Sequence, residues 1–327
     1  MAVYTQLSAE TLAELIGAYD VGRLISAKGI AEGVSNSNWL IETSGADGTG
    51  ARFILTMYER RIDLADLPFF LGLLDHLADR GSPVPRTIHD RAGAASRDLD
   101  GKAVALIEFL PGISVGRPIP AQAFDVGRVL AQMHCAAMDY PARRTNDLCP
   151  TTSARVLAEC GAEALARIDP ALPSTIATAA VIARDWPQDL PTSVIHSDLF
   201  PDNVLMLGDK VGGLIDFYFA CNDAMAYDLA VTHASWSFDS TGRTYNTEVG
   251  AALIAGYETV RPLEPAERAA LPLLAQGAAI RFISSRAQDW LDTPSDALVT
   301  RKDPMDFVRR LSFYAENGRD VFAQAHA

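Results

Sequence analysis

The sequence has 327 residues, and its 28 basic and 41 acidic side chains give a net charge of −13. At about 150 residues per domain, this length predicts one large domain or two smaller lobes. The composition, 49% hydrophobic and 21% charged, is typical of a globular chain and excludes a disordered or coiled-coil protein. A pI of about 4.9 argues against binding to nucleic acid or an anionic membrane, because both attract a clustered positive field. To bind an anionic small ligand, this acidic chain would need cationic side chains or a metal ion at the binding site to offset the negative charge.

The sequence carries no sign of secretion or of a membrane span. Its four cysteines form no C-x-x-C pair and no metal-ligand spacing with histidine, so free thiols are expected. The N-terminus lacks the basic start and apolar run of a signal peptide. No stretch approaches the roughly 18 apolar residues of a membrane span. We therefore expect a cytoplasmic protein.

Hydrophobic periodicity predicts a β-rich segment with one main helix over residues 1–110. Ser8 can cap a short first helix whose apolar face extends to Tyr19. Three strands follow, joined by short Gly-rich links that favour an antiparallel meander; they are expected at Ser26–Ile30, Trp39–Thr43 and Phe53–Tyr58. The main helix begins after Asp66, and the apolar run at 103–110 predicts a buried strand.

A Pro- and Gly-rich segment at 111–120 is the best candidate for a linker, and the pattern after it is mostly helical. Two strand-like runs, VLML and GGLIDFYF, interrupt the helices; these are expected at 124–138, 174–186, 227–236, 249–257, 266–290 and 306–313. The predicted fold class is therefore α+β, with a small β-rich lobe of residues 1–110 and a larger, mostly helical lobe of residues 111–327.

The stretch VIHSDLFPDNVLMLGDKVGGLIDFYF carries the most informative motif. Asp198 precedes Asn203 by five positions, and Asp216 lies on the following strand-like run. Protein kinases have an Asp and an Asn at this spacing, followed by a second Asp. Asp198 can accept the proton of an attacking hydroxyl, and Asn203 and Asp216 can hold Mg²⁺ on nucleotide phosphates. His196 is more often a structural group of such a loop. The alternative interpretation is a polar turn before a hairpin.

Phosphate contacts are suggested by a Gly-rich segment between the first two predicted strands. Gly29 and Gly33 belong to GIAEGVSNSN, which lacks the full G-x-G-x-x-G spacing, so a hairpin turn is a fair alternative. Lys28, one of only four lysines, precedes it. This lysine is either a phosphate partner or a solvated residue at the end of a strand.

HSDLFPDN together with LIDFYFACNDAMAYDLA resembles the aminoglycoside-phosphotransferase-like small-molecule kinases, a branch of the protein-kinase-like fold. KGIAEGVSNSNW, LPFFLGLLDHLADRG and IRFISSRAQDWL followed by KDP extend the resemblance to the homoserine kinases of that superfamily. The resemblance implies a bilobal fold in which residues 1–110 bind nucleotide. It also implies transfer of the γ-phosphoryl group of MgATP to the side-chain hydroxyl of L-homoserine, in threonine biosynthesis.

Carried onto this chain, the resemblance implies Asp198 as the base, Asn203 and Asp216 as metal ligands, and a structural role for Asp228. Adenine would be held by the backbone of Glu108, Phe109 and Leu110. The chain departs from the kinase pattern at two points. Thr56 stands where kinases carry a lysine on the third strand, and the glycine that follows the metal-binding Asp-Phe in protein kinases is absent. A movable activation segment is therefore not expected.

An amino-acid acceptor carries a carboxylate and an ammonium, so its site needs an Arg fork near an acid. The candidates are Arg281, Arg286 and Asp289 on the long C-terminal helix, and Asp202, Asp223 and Tyr227 nearer the motif. A surface salt bridge is the alternative for any one of them. Choline or an aminoglycoside is the rival acceptor, and a non-catalytic nucleotide-binding protein is the rival function. No nucleic-acid, membrane or obligate protein partner is expected.

Overall fold

A computed structural model describes residues 5, 7–30, 36–59, 63–293 and 301–324. The chain divides into two compact units. The first unit comprises Met1–Gly112 with two later segments, Tyr140–Ala142 and Gly212–Tyr218. The second comprises Ile113–Asp139, Arg143–Val211 and Phe219–Ala327. The predicted metal ligand Asp216 therefore groups with the N-terminal part of the chain, whereas Asp198 and Asn203 belong to the second unit.

The first unit is built on an antiparallel sheet that follows helix α1 (Ala9–Ile16). The strands are β1 (Leu24–Ile30), β2 (Asn36–Thr43), β3 (Ala51–Tyr58), β4 (Thr87–Ile88), β5 (Arg97–Leu99) and β6 (Lys102–Glu108). Their order is β1-β2-β3-β6-β4, and β5 pairs with β6. The meander over the first three strands is confirmed, because each antiparallel pair is joined by a link too short for a crossover.

Two helices cover opposite faces of this sheet. On β3, Leu55 and Met57 belong to the apolar cluster that also contains Ile16 of α1. Tyr58 belongs to a second cluster that contains Leu71 of helix α2 (Leu67–Asp79). Successive strand side chains point to opposite faces, so the alternation along β3 places α1 and α2 on the two sides.

Helix α1 is shorter than its apolar pattern predicts. The hydroxyl of Ser8 accepts a hydrogen bond from the N–H of Thr11 at 3.1 Å and caps the helix as expected. The helix ends at Ile16, and Tyr19 lies beyond it. Tyr19 is nevertheless fully buried in the cluster of α1 and the sheet. The pattern was right about burial and wrong about the helix, because the turn after Gly17 brings Tyr19 back onto the core.

The second unit is mainly helical and contains α3 (Pro120–Ala137), α4 (Pro150–Cys160), α5 (Ala162–Ile168), α6 (Ser174–Arg184), α7 (Met225–Trp236), α8 (Thr247–Glu258), α9 (Pro265–Asp292) and α10 (Met305–Gln324). Two short sheets complete the chain: β7 (Thr192–Ile195) with β10 (Cys221–Ala224), and β8 (Val204–Leu207) with β9 (Lys210–Leu214). Within the described residues, no helix combines the length and the apolar character needed to cross a bilayer.

Candidate active site

The loop between β7 and β8, residues 196–203, carries the predicted base and is fixed by a buried carboxylate on α7. Asp228 accepts hydrogen bonds from the N–H groups of His196 and Ser197, both at 2.7 Å. Its Oδ2 also lies 3.0 Å from Nε2 of His134, and both side chains are fully buried. Burial raises the pKa of Asp228, but the His134 contact and the hydrogen bond from the peptide N–H of His196 hold it below the usual value. Asp228 thus occupies the structural position that the resemblance implies.

Ser197 is the point at which this loop is held most firmly. Its backbone has φ +61°, a left-handed conformation that non-glycine residues rarely adopt. Besides the N–H bond to Asp228, its hydroxyl donates to the carbonyl of Phe219 at 2.8 Å, and its own carbonyl accepts from Nη1 of Arg281. All three polar groups of Ser197 are therefore bonded, which offsets the cost of the unusual backbone.

Asp198 follows Ser197 and is mostly buried, with 19% of its side chain exposed. Burial raises the pKa of its carboxyl, and the positive charges of Arg281 and Lys302 oppose that rise. Nδ1 of His196 accepts from the N–H of Asp198 at 3.3 Å. The histidine therefore contacts the loop backbone, in agreement with the structural role expected for it.

Asn203 lies in the one-turn 3₁₀ helix that ends the loop. Its Nδ2 donates to the carbonyl of Asp198 at 2.8 Å and lies 3.4 Å from Oδ2 of that residue. Because the amide nitrogen is engaged by the loop, the amide presents its Oδ1 as the acceptor atom. A neutral oxygen of this kind suits a hard cation such as Mg²⁺, so the residue fits the metal that the motif predicts.

Asp216 lies in the first unit, just after β9. The run GGLIDFYF was predicted to be a strand, but β9 ends at Leu214, and a 3₁₀ turn forms over Phe217–Phe219. The chain turns because Asp216 adopts φ +65°, which ends an extended strand. Its side chain is exposed, and a carboxylate at this position fits a divalent cation.

The structure places a neutral cluster where kinases carry a strand lysine. Thr56 of β3 is buried, and its hydroxyl donates to Oδ1 of Asn38 at 2.8 Å. The hydroxyl of Tyr58 lies 3.3 Å from that of Tyr218, and the two rings pack edge to face. Tyr218 follows Asp216 by two residues, so the cluster joins β3 to the segment that carries the predicted metal ligand.

The residues predicted to hold the nucleotide all belong to the first unit. Lys28 and Gly29 lie exposed on β1, and Gly33 falls outside the described residues. Phe109 packs under the guanidinium of Arg52, whose Cζ is 5.1 Å from the ring centroid. The side chain of Leu110 covers Gly213 of β9, where a Cβ would lie 2.6 Å from Cδ1 of the leucine.

Glu108 ends β6 and is joined to the backbone of Arg86 by two hydrogen bonds. The N–H of Glu108 donates to the carbonyl of Arg86 at 2.9 Å, and its carboxylate accepts from the N–H of Arg86 at 3.3 Å. The segment 108–110, which is predicted to hold adenine, is thus fixed at its first residue by the hydrogen bonds between Glu108 and Arg86.

Two of the predicted substrate residues lie in a part of the second unit built by β10 and α7. The carboxylate of Asp223 accepts from Nδ2 of Asn146 at 2.6 Å and from the N–H of Ala224 at 2.7 Å. Tyr227 is fully buried, with its ring 5.2 Å from that of Trp186, and its hydroxyl has no hydrogen-bond partner among the described residues. Burial raises the pKa of Tyr227 above its usual value.

The remaining substrate candidates have different surroundings. Arg281 lies beside Asp198, with Nη2 3.4 Å from Oδ1. Arg286 instead donates to the carbonyl of Asp303 and to the carboxylate of Asp306, each at 2.9 Å. Asp202 and Asp289 are exposed. The structure therefore brings Arg281 to the predicted base and ties Arg286 to the start of α10.

Three further side chains lie in this region and were not predicted as site residues: Asn146, Trp186 and Lys302. Asn146 contacts Asp223 across 77 residues, and Trp186 fills the space above Gly277, where a Cβ would lie 2.2 Å from the indole ring. Neither lies in a recognisable motif. The positive charge of Lys302 opposes the rise in the pKa of Asp198. The KDP sequence after the long helix was the one feature that could have indicated a role for this lysine.

Comparisons with known proteins agree with this arrangement. Residues 26–263 match the family described as "Phosphotransferase enzyme family". A homoserine kinase of Methylobacterium radiotolerans is 49% identical over 323 residues, 98% of each chain. A homoserine kinase of Caulobacter sp. is 49% identical over 318 residues, 97% of each chain. The chain therefore belongs to the phosphotransferase enzyme family, among its homoserine kinases. The expected enzyme class, an ATP-dependent phosphotransferase, is confirmed.

Solved structures share the fold at low sequence identity. A spectinomycin phosphotransferase in complex with ADP and spectinomycin matches with a TM-score of 0.68, 14% identity and 99% coverage of each chain. A choline kinase from Cryptosporidium parvum matches with a TM-score of 0.63 and 14% identity, over 91% of this chain and 90% of that chain. These similarities confirm the predicted kinase-like α+β fold.

Proposed function

We propose that this protein transfers the γ-phosphoryl group of ATP to the side-chain hydroxyl of L-homoserine. The supporting observation is the identity of 46–49% to homoserine kinases such as those of Methylobacterium radiotolerans and Xanthobacter autotrophicus, over at least 96% of this chain. The loop that carries Asp198 and Asn203 supplies the chemistry that such a transfer needs. The product would enter threonine biosynthesis.

Asp198 is assigned as the general base. It takes the proton of the homoserine hydroxyl as the hydroxyl oxygen forms a bond to the γ-phosphorus. The bond from that phosphorus to the bridging oxygen breaks, and ADP leaves with the electron pair. Phosphoryl transfer depends mainly on positioning and charge stabilisation, and a carboxylate held by a bonded loop backbone suits this task.

Asn203 and Asp216 are assigned as ligands of Mg²⁺. When bound, the metal neutralises charge on the nucleotide phosphates. Asn203 supports the assignment because Asp198 engages its amide nitrogen, and Asp216 supports it with an exposed carboxylate. Lys28, Gly29 and Gly33 are assigned to the phosphates, and the backbone of 108–110 to adenine.

The acceptor is assigned to the surroundings of Asp223. Asp223 offers a carboxylate, oriented by Asn146, that matches the ammonium group of an amino acid. The hydroxyl of Tyr227 is fully buried and has no partner among the described residues. Tyr227, Asp202, Arg286 and Asp289 stay predictions for the same substrate. Cytoplasmic location and activity without a macromolecular partner also stay predictions.

A coupled assay of ADP release tests the acceptor directly. The purified protein is assayed with MgATP and L-homoserine, L-serine, choline or kanamycin, and the product is identified by mass spectrometry. We expect rapid turnover of homoserine and little turnover of the other three alcohols. Preferred turnover of choline or kanamycin would reject homoserine as the substrate and retain the kinase. Absence of ADP release with every alcohol would favour a non-catalytic nucleotide-binding protein.

A further inference from the structure

Arg281 lies in the middle of α9 and is almost completely enclosed. Only 3% of its side chain is exposed. The guanidinium carbon lies 4.6 Å from the ring centroid of Phe282 and 5.6 Å from that of Phe219. An arginine that receives a substrate carboxylate from solution needs an accessible guanidinium group, and this one is closed off by two rings and the loop.

The guanidinium group is engaged by two consecutive residues of the loop. Nη1 donates to the carbonyl of Ser197, and Nη2 lies 3.4 Å from Oδ1 of Asp198. The planar fork of arginine can contact a carbonyl and a carboxylate at once, which the single ammonium of lysine does in a less defined geometry. Arg281 thus contacts both the carbonyl oxygen of Ser197 and the carboxylate of the next residue, Asp198, which is the predicted base.

Phe282, the next residue on α9, reinforces this position. Its ring lies 4.9 Å from that of Phe200, two residues after Asp198, and 4.7 Å from that of Phe307 on α10. The helix segment 281–282 therefore contacts the loop on both sides of the base. A shift of the base by about 1 Å can cost about 100-fold in rate, so such contacts matter for catalysis.

We propose that Arg281 is a positioning residue that holds the carboxylate of Asp198 for the phosphoryl transfer and does not bind the substrate carboxylate. This inference rests on the proposed function, in which Asp198 is the base. It differs from the interpretation of the sequence, which placed Arg281 among the substrate ligands.

The test compares two acceptors in Arg281→Lys and Arg281→Met. L-homoserine carries the carboxylate, and 3-aminopropan-1-ol is the same molecule without it. We expect kcat to fall about 100-fold with both acceptors, with the KM for ATP nearly unchanged. Loss confined to homoserine, as a raised KM with kcat retained, would instead make Arg281 the ligand of the substrate carboxylate and overturn the proposal. Wild-type kcat in both variants would also overturn it.

Controls separate a local effect from a folding defect. Arg268→Lys changes another ion-paired arginine of α9, whose partner is Glu258, and should keep full activity. Thermal unfolding and ADP affinity report whether each variant is folded. If Arg281→Met does not fold, Arg281→Gln takes its place beside Arg281→Lys. A lowered kcat with both acceptors is expected, and an unchanged kcat in folded variants that bind ADP would reject the proposal.

The outcome also distinguishes this inference from the proposed function. If the wild-type protein phosphorylates homoserine and the variants keep their kcat, only the role of Arg281 fails. If the wild-type protein does not phosphorylate homoserine, the proposed function fails. The same comparison then uses ATP hydrolysis with water as acceptor, where an unchanged rate in the variants would reject the positioning role as well.

Discussion

Nε2 of His134 lies 3.0 Å from Oδ2 of Asp228, and both side chains are fully buried. Through the same carboxylate, Asp228 accepts the N–H groups of two loop residues, His196 and Ser197. One side chain on α7 therefore links α3 to the loop that carries the predicted base. Its removal should affect both stability and activity.

Asp228→Asn should lower the free energy of unfolding by about 3 kcal/mol, because it breaks a buried pair and turns an amide N–H toward a backbone donor. Activity should fall as well, since the loop loses an anchor. Thermal and denaturant unfolding measure the first effect, and kcat measures the second. Asp320→Asn, at an exposed position on α10, is the matched control and should change neither.

The same carboxylate predicts a pH dependence of stability. The pKa of Asp228 is held below its usual value in the folded state. Its contribution is therefore fully present above the unfolded pKa of about 4 and is lost as the pH falls through the lower folded value. The difference in stability between the wild-type protein and Asp228→Asn should narrow below about pH 4. A constant difference at every pH would contradict this account.

Asp198→Asn should reduce kcat by about 100- to 10,000-fold, because the amide cannot accept the proton of the acceptor hydroxyl. ATP binding should persist, since the nucleotide is assigned to other residues, and equilibrium binding of a fluorescent nucleotide measures it. Asp209→Asn, in the exposed turn between β8 and β9, should retain full activity. Near-normal turnover of Asp198→Asn would remove Asp198 from the role of base.

Tyr227→Phe should stabilise the free protein by about 1 kcal/mol, because it removes a buried hydroxyl that has no partner in the described part of the chain. If that hydroxyl contacts the acceptor, the KM for homoserine should rise while the KM for ATP stays constant. Tyr19→Phe is the matched control. The hydroxyl of Tyr19 is also buried without a partner among the described residues, so this change should stabilise the protein and leave both KM values unaltered.

Two glycines allow the main chains of α3 and α8 to touch. A Cβ on Gly127 would lie 1.9 Å from the carbonyl oxygen of Leu253, and one on Gly256 would lie 1.9 Å from that of Phe124. Gly127→Ala should therefore lower the free energy of unfolding, measured in denaturant, by about 1–3 kcal/mol. Gly116→Ala has open space around its Cβ, and it should change stability by less than about 0.5 kcal/mol.

Local patterns predicted the elements whose signals lie within a few residues. The helix predicted after Asp66 and the strand predicted at Phe53–Tyr58 are confirmed as α2 and β3, because each signal is carried by apolar residues close together in the sequence. The strand predicted through Asp216 was wrong, since the left-handed backbone at that residue ends the extended chain. Helices α4 and α5 were missed because their short sequences bury few apolar residues.

The sequence by itself determined the family, the α+β fold class and the placing of Asp198 and Asn203 on one short loop, because five residues of chain hold those two side chains together. Only the tertiary structure decided which residues surround the base. Arg281 reaches Asp198 across 83 residues, and Asn146 reaches Asp223 across 77. Such contacts depend on how helices and strands pack, and no local pattern encodes them. The net charge of −13 says nothing about where the few cations lie. The packing of α9 against the loop places one of them, Arg281, beside the predicted base.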